Sequence, residues 1–258
     1  MQVRHLDRRA YFAEEVSTSE NYYINYLTRF VAITKGCRVL EIGCGEGGNL
    51  LPFVKLGCNV SGIDRSSTRI NQAIDFFSET GYEGEFIAVD FFEWGKKEKG
   101  YDIILIHDVI EHIERKDMFV DHLKDFLNKN GIVFWGFPAW QMPFGGHQQI
   151  CHSKICSLIP FIHLLPCSLY KVILKCFGEN DDCVNELIDI KRCKMTIESF
   201  ESLMNRHHYK MLDRCLWLVN PHYKQKFHLT PRKLSTFLAQ TKYLRNYFST
   251  SCFYITRL

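Results

Sequence analysis

Three acids stand at or near the ends of short apolar runs: Glu41 in V39-L-E-I42, Asp64 in N59-V-S-G-I-D64 and Asp90 in G84-E-F-I-A-V-D90. Between the first two lies a glycine-rich loop, Gly43, Gly45, Gly47 and Gly48. Glycines there let backbone N–H groups approach a ligand closely at the start of a helix. No Gly-Lys-Ser/Thr follows, so a phosphate-cradling P-loop is excluded. Asp64 ends the strand after the loop, the position from which an acid accepts from ribose hydroxyls. Acids at three neighbouring strand ends suit a neutral or cationic nucleoside and would repel a pyrophosphate.

A second cluster, H107-D-V-I-E-H112, directly follows the apolar run Y101-D-I-I-L-I106. If 108–113 is helical, Asp108, Glu111 and His112 share one face. Their oxygen and imidazole donors suit Mg²⁺, Mn²⁺ or Zn²⁺. In F144-G-G-H147, Gly145 and Gly146 would let the backbone bring His147 over the same cluster. The simpler reading makes Asp108 and Glu111 polar residues beside a cofactor or at a helix start, and His112 a substrate-facing or packing residue. That reading is preferred here, so no metal ligand is assigned and a divalent metal is the less favoured alternative. His147 and His112 are the candidate catalytic groups, His147 as general base or substrate contact.

The elements that position these residues alternate. Short strands at 37–42, 59–64, 84–90, 101–106 and 131–137 are separated by helical patterns at 49–56, 69–78 and 117–127. A helix over 20–34, capped by Ser17, Thr18 or Ser19, precedes them. That rhythm predicts a parallel sheet covered on both faces, a doubly wound α/β fold. After Pro138 the alternation breaks. It resumes with a helix over 196–206, Thr196 as its N-cap, and strands at 211–219 and 252–258. The expected organisation is a core of 1–138 plus 196–258, with 139–195 inserted as a cover and a smaller insertion at about 222–248.

Composition narrows the class. Of 258 residues 46% are hydrophobic and 24% charged, which fits a filled globular core. A net charge of +3 is too weak to argue for a nucleic-acid or membrane partner. The 11 cysteines contain no C-x-x-C pair and sit mostly in apolar stretches, so reduced thiols in a cytoplasmic protein are expected. The opening M-Q-V-R-H-L-D-R-R is charged and lacks the apolar region of a secretory signal.

Taken together, V39-L-E-I-G-C-G-E-G47, Asp64, Asp90 with Phe91, and H107-D-V-I-E-H112 resemble the class I S-adenosylmethionine (SAM)-dependent methyltransferases. The branch with ubiquinone-biosynthesis O-methyltransferases is the most similar. The resemblance covers most of the chain outside 139–195 and 222–248. It implies a seven-stranded, mostly parallel Rossmann-like sheet. It also implies that Glu41, Gly43, Cys44, Gly45 and Gly47 carry the methionine end of SAM, and that Asp64 holds the ribose. Asp90 would bond the adenine amino group, with Phe91 beside the ring. Arg65, His107 and Asp108, next to these motifs, are counted with the cofactor-binding residues. The acid-x-x-Glu-His cluster is also similar to the Glu-x-x-Glu-His element of metal-dependent methyltransferases, although Asp108 stands where that element has Glu.

The implied function is methyl transfer to oxygen of a small or medium-sized, partly apolar acceptor. The alternatives are an RNA 2′-O-methyltransferase-like enzyme, which the basic, aromatic H222-Y-K-Q-K-F-H-L-T-P-R-K233 would serve, and a non-catalytic SAM-binding protein. That C-terminal segment is otherwise expected to be a solvated connection or dimer contact. Within 139–195, Pro160, Pro166, Lys171 and Lys175 interrupt the apolar stretches and argue against membrane insertion. Trp140, Phe144, Phe161 and Tyr170 are expected to wall the acceptor site under a helical lid. E179-N-D-D-C183 reads as a solvated loop. The oligomeric state is not legible.

Overall fold

The structure, a computed structural model, describes residues 7–95 and 100–258. The first six residues of the charged N-terminal stretch, and residues 96–99 of the first core segment, lie outside the described residues.

Among the described residues, eight strands form one sheet. They are β1 (Arg38–Ile42), β2 (Asn59–Asp64), β3 (Glu85–Ala88), β4 (Tyr101–His107), β5 (Leu127–Phe137), β6 (Lys210–Val219), β7 (Arg232–Lys233) and β8 (Ser251–Arg257). Their order is β3-β2-β1-β4-β5-β8-β6-β7. The first five are mutually parallel, and β8 lies antiparallel between β5 and β6. The chain therefore winds outward in one direction from β1 to β3 and in the other from β4 onward. The crevice at that reversal, beyond the strand C-termini, is where open α/β sheets bind ligands.

Alternation of side chains divides each central strand between two cores. In β4, Ile104 and Ile106 join Leu40, Val133, Trp135, Phe119 and Phe200 on one face. Ile103 and Leu105 join Val39, Phe134, Phe12, Leu27 and Phe53 on the other. Both faces are covered, which is why β4 reads as an almost unbroken apolar run.

Helices α1 (Arg8–Thr18) and α2 (Ile24–Leu27) are joined by a π-helical turn, Ser19–Tyr23. The helix expected over 20–34 thus begins earlier and ends earlier. Asp7 caps it, accepting from the Ala10 amide at 3.0 Å. The predicted caps lie inside the helical run: Thr18 Oγ1 donates to Glu14 O and Ser19 Oγ donates to Asn49 O, both at 2.8 Å. After the glycine loop come α3 (Leu51–Lys55) and α4 (Ser67–Thr80), the latter capped by Ser66 and ended by Gly81. Helix α5 (Lys116–Leu123) precedes β5.

The segment after β5 is helical, with α6 (Lys154–Leu158), α7 (Cys167–Cys176) and α8 (Asp181–Cys193) around a small core of its own. Glu179–Cys183 is not a solvated loop. Asn180 caps α8 by accepting from the Cys183 amide at 2.8 Å, and Glu179 and Cys183 are both buried. Helix α9 (Ile197–Arg206) carries the expected cap, a reciprocal Thr196–Ser199 capping box.

Helices α10 (Tyr223–Phe227), α11 (Thr236–Gln240) and α12 (Arg245–Phe248) complete the chain. The sheet has eight strands rather than seven because Arg232 and Lys233 pair with Val219 and Trp217 on the open edge of β6. Two residues after Pro231 leave no hydrophobic periodicity to read. Among the described residues, no helix is long and apolar enough to cross a membrane.

Candidate active site

The glycine loop folds back over the end of β2. The Gly43 and Cys44 amides both donate to Ile63 O, at 2.8 and 3.0 Å. Gly43, Gly45 and Gly47 all have positive φ, of 73°, 52° and 80°. At Gly43 the requirement is doubled, because a Cβ there would lie 2.4 Å from Val109 Cγ2. Bare backbone at Gly43 lets the first loop and the segment after β4 close on each other.

Asp64 reaches back to this loop. Its Oδ2 accepts from the Gly45 amide at 3.0 Å and its Oδ1 from the Ser66 amide at 2.8 Å. Asp90 accepts from the Phe92 amide at 2.9 Å, with Arg65 Nε 3.5 Å away. These acids border a cavity of about 160 Å³ lined also by Ile42, Gly43, Arg65, Phe91 and Val109. Phe91 is buried and packs its ring on Phe119 and His122, each at 4.9 Å, so it forms the cavity floor as part of the core.

Glu41 lies beneath the loop. Its Oε1 accepts from Asn49 Nδ2 at 2.7 Å, while its buried Oε2 has no hydrogen-bond partner. Burial pushes its pKa up to about 8, the Asn49 bond pulling down and nearby Asp64 pushing up. Cys44 is buried, with its thiol against Gly62 of β2, so this residue offers the cavity side its backbone only. Burial raises its pKa.

A second cavity, about 340 Å³, opens on the other side of the segment after β4. His107, Asp108, His112, Phe144 and His147 line it. Asp108 has φ 53° and Ile110–His112 is a single 3₁₀ turn. The helix that would have put Asp108 on one face with Glu111 and His112 does not form. Asp108 instead points to solvent beside His107 Nδ1, at 3.5 Å. The group that does converge is Glu111, His112 and His147, whose donor atoms lie within 4.8 Å of one another. The two imidazoles meet edge to face at 4.8 Å.

Both Glu111 oxygens are buried without a hydrogen-bond partner. Burial, then the Asp108 charge, drive the Glu111 pKa well up. Burial lowers that of His112, and burial with the neighbouring His112 lowers that of His147 to about 4. Both rings are therefore neutral at pH 7.

The expected aromatic wall is mostly elsewhere. Of its four members only Phe144 borders this cavity. Tyr170 is fully buried in the small core after β5, Trp140 packs on His163 at 4.7 Å, and Phe161 is exposed. Of the three, only Tyr170 serves that core. In their place stand Tyr11, Glu15 and Tyr23 from α1 and the π turn, Arg69 from α4, and His222, Tyr223 and Lys226. The 222–233 segment is thus partly a cavity wall rather than only a solvated connection. Tyr11 and Glu15 are one helical turn apart, a signal available once α1 is started at Asp7.

A family model described as "Methyltransferase domain" matches residues 12–146, just over half of the chain and the part that builds both cavities' central walls. The chain belongs to the class I SAM-dependent methyltransferases. Among curated methyltransferases it is similar to the ubiquinone biosynthesis O-methyltransferases of Chelativorans sp. (strain BNC1), 33% identical over 100 residues, and Pelagibacter ubique, 34% over 100. Each match covers 39% of this chain, and 40% and 41% of the respective relative, so the chain matches about two-fifths of their length. Among solved methyltransferase structures, plantazolicin methyltransferase BpumL aligns with TM-score 0.55 at 17% identity, covering 98% of this chain and 86% of that one. Magnesium protoporphyrin IX methyltransferase from Synechocystis aligns with TM-score 0.57 at 14%, covering 95% and 84%. At such identities the structural likeness speaks for the fold.

Proposed function

We propose that this chain is a SAM-dependent O-methyltransferase acting on a small or medium-sized, partly apolar acceptor. The observation that carries the reading is the pair of cavities on either side of the segment after β4, Val109 lining one and the adjacent Asp108 the other. One is edged by acids and floored by apolar side chains, as a nucleoside needs. The other is lined by imidazoles, those of His112 and His147 among them, with carboxylates and tyrosines. The Glu41 Oε2 without a partner supports the fit, since a cationic amino acid end near the loop suits a buried carboxyl. Glu41 and the Gly43–Gly47 backbone, including that of Cys44, would hold the methionine end, Asp64 the ribose, and Asp90 with Arg65 and Phe91 the adenine side. His107 and Asp108 edge the boundary between donor and acceptor. The bound cofactor supplies an electrophilic methyl carbon on a sulfonium.

The chain's own residues align the acceptor and manage its proton. His147, neutral at pH 7, accepts the acceptor's hydroxyl proton on an imidazole nitrogen, with His112 against its ring. Residues 139–195 and 222–248 close the acceptor side and exclude water, while 1–138 and 196–258 supply the core. A second reading rests on the orphaned Glu111 carboxylate. Glu111, His112 and His147 would hold a divalent cation that polarises the acceptor oxygen as a Lewis acid.

The test is labelled methyl transfer from SAM to a panel of phenolic, quinol and lipid hydroxyl acceptors, and to cell extract. Replacement His147→Ala should lower turnover by about 100-fold or more while leaving binding of S-adenosylhomocysteine (SAH) within about twofold. Unchanged turnover removes His147 from the chemistry. Loss of activity on chelation, restored by Mg²⁺ or Zn²⁺, selects the metal reading. Tight SAH binding with no transfer to any acceptor would make the chain a binding protein.

A further inference from the structure

We propose that Cys151, Glu179 and Cys183 form a second, separate site, which binds one thiophilic divalent cation of the zinc type and staples the helical segment after β5. Their three donor atoms lie within 4.8 Å of one another, and all three residues are buried. Tetrahedral zinc, with bonds of about 2.3 Å to sulfur and about 2.0–2.2 Å to oxygen, needs donors about 3.5–3.8 Å apart. Side-chain rotation by about 1 Å closes that difference.

The local architecture already aims the carboxylate. Glu179 Oε1 accepts from the Ser153 amide at 2.8 Å, and Oε2 from the His152 amide at 3.1 Å, with His152 Nδ1 at 3.3 Å. Burial opposes the charged form of Glu179, but these amide bonds outweigh it and hold its pKa below the usual value. The result is a buried carboxylate anion beside two thiols, oriented from behind as metal-bound carboxylates are. Burial raises the pKa of both thiols, that of Cys183 to about 11, so without a cation they are protonated.

A further observation points to a ligand. The Tyr170 hydroxyl is fully buried with no hydrogen-bond partner, and it interacts electrostatically with Cys151, Cys183, Cys156 and Glu179. A thiolate held by a cation would accept a hydrogen bond from it, the phenol keeping its proton. Binding balances as M²⁺ plus two thiols and one carboxylate giving the complex and two released protons. Water takes the fourth position.

The donors come from two points: Cys151 from the end of the 3₁₀ turn Gln148–Ile150, and Glu179 and Cys183, four residues apart, from the start of α8. The core they tie together has only nine buried residues. Clusters that small gain most from a covalent or metal crosslink. His147, Gln149 and Ile150 on the acceptor cavity lie within four residues of Cys151. A cation here fixes that wall without touching the acceptor.

The experiment uses the full chain, reduced and stripped of metal, titrated with Co²⁺ and then Zn²⁺. One equivalent of Co²⁺ should give thiolate-to-cobalt charge-transfer absorption, which Zn²⁺ abolishes while raising the melting temperature. The variants Cys151→Ser and Cys183→Ser should lose the band and the retained zinc. Glu179→Gln should weaken binding at least about tenfold. His112→Ala and His147→Ala should leave the band intact, separating this site from the imidazole pair. The proposal is overturned if the reduced chain takes up no stoichiometric cation with thiolate absorption. It is equally overturned if zinc content survives both cysteine replacements, or if the two sulfurs prove to be a disulfide whose reduction confers no metal uptake.

Discussion

Replacing Gly43 by Ala separates two physical costs that meet at one atom. The first is backbone strain, since φ is 73° and an alanine held in the left-handed region costs about 1–2 kcal/mol. The second is overlap. The new Cβ would sit 2.4 Å from Val109 Cγ2, against an ordinary carbon contact of about 3.5–4.0 Å, and relieving such overpacking costs about 1–3 kcal/mol. Gly43→Ala should therefore destabilise by about 2–5 kcal/mol and weaken SAH binding by at least about tenfold, because Gly43 and Val109 both line the smaller cavity.

Val109→Ala removes the offending methyl and leaves Val109 Cβ at 3.7 Å, an ordinary contact, for about 1 kcal/mol of lost burial. In the double variant only the φ strain and that burial loss remain. The two replacements should couple by about 1–3 kcal/mol, the double variant being more stable than the sum predicts. Urea unfolding midpoints of the four proteins, with SAH titrations alongside, measure the cycle. A coupling within about 0.5 kcal/mol of zero would refute the claim that Gly43 is bare to admit Val109.

Glu41 binds a proton in the folded chain up to pH about 8, while an unfolded glutamate releases it near 4.5. The folded state thus holds the extra proton between those values, so stability falls as pH rises from about 4.5 to 8 and levels beyond, by on the order of 5 kcal/mol from this group. Glu41→Gln should flatten that slope in urea midpoints measured across the range, and an unchanged slope would assign it to other groups. Asp64→Asn leaves one accepting oxygen for two amides, so SAH affinity should fall about tenfold or more by calorimetry; equal affinity would remove Asp64 from the binding site. Arg245 is buried between Glu198 and Glu201, with bonds of 3.0 and 2.8 Å. Arg245→Ala should cost about 3 kcal/mol because it removes the cation beside Glu198 and leaves Glu201 with Arg214 alone, and a loss under about 1 kcal/mol in urea unfolding would contradict that.

The wall of the smaller cavity was legible in sequence where its residues, Gly43, Asp64 and Asp90, are local to strand ends. A strand's C-terminus is fixed by its own apolar pattern, so Gly43, Asp64 and Asp90 arrive at the crevice by rules of spacing, with Glu41 buried beneath the loop. The acceptor side follows no such rule. Trp140, Phe161 and Tyr170 have the composition of a binding wall, yet local apolar patterning does not say which core they serve. Tyr11, Glu15 and His222 reach the cavity from opposite ends of the chain, through helix docking and loop closure. The loop after β4 shows the same limit at short range. Asp108, Glu111 and His112 would share a face if 108–113 were helical, but a left-handed residue at Asp108 turned it away.

By itself, then, the order of residues determined an α/β sheet and its ligand-binding edge, since each depends on periodicity, glycine placement and strand ends. Tertiary structure alone decided which side chains meet across sequence distance: His112 with His147, Val109 with Gly43, and Cys151 with Glu179 and Cys183. No C-x-x-C spacing marks that last trio. Glu179 and Cys183 are local to the start of α8, and only the packing of that helix against the 3₁₀ turn brings Cys151 to them.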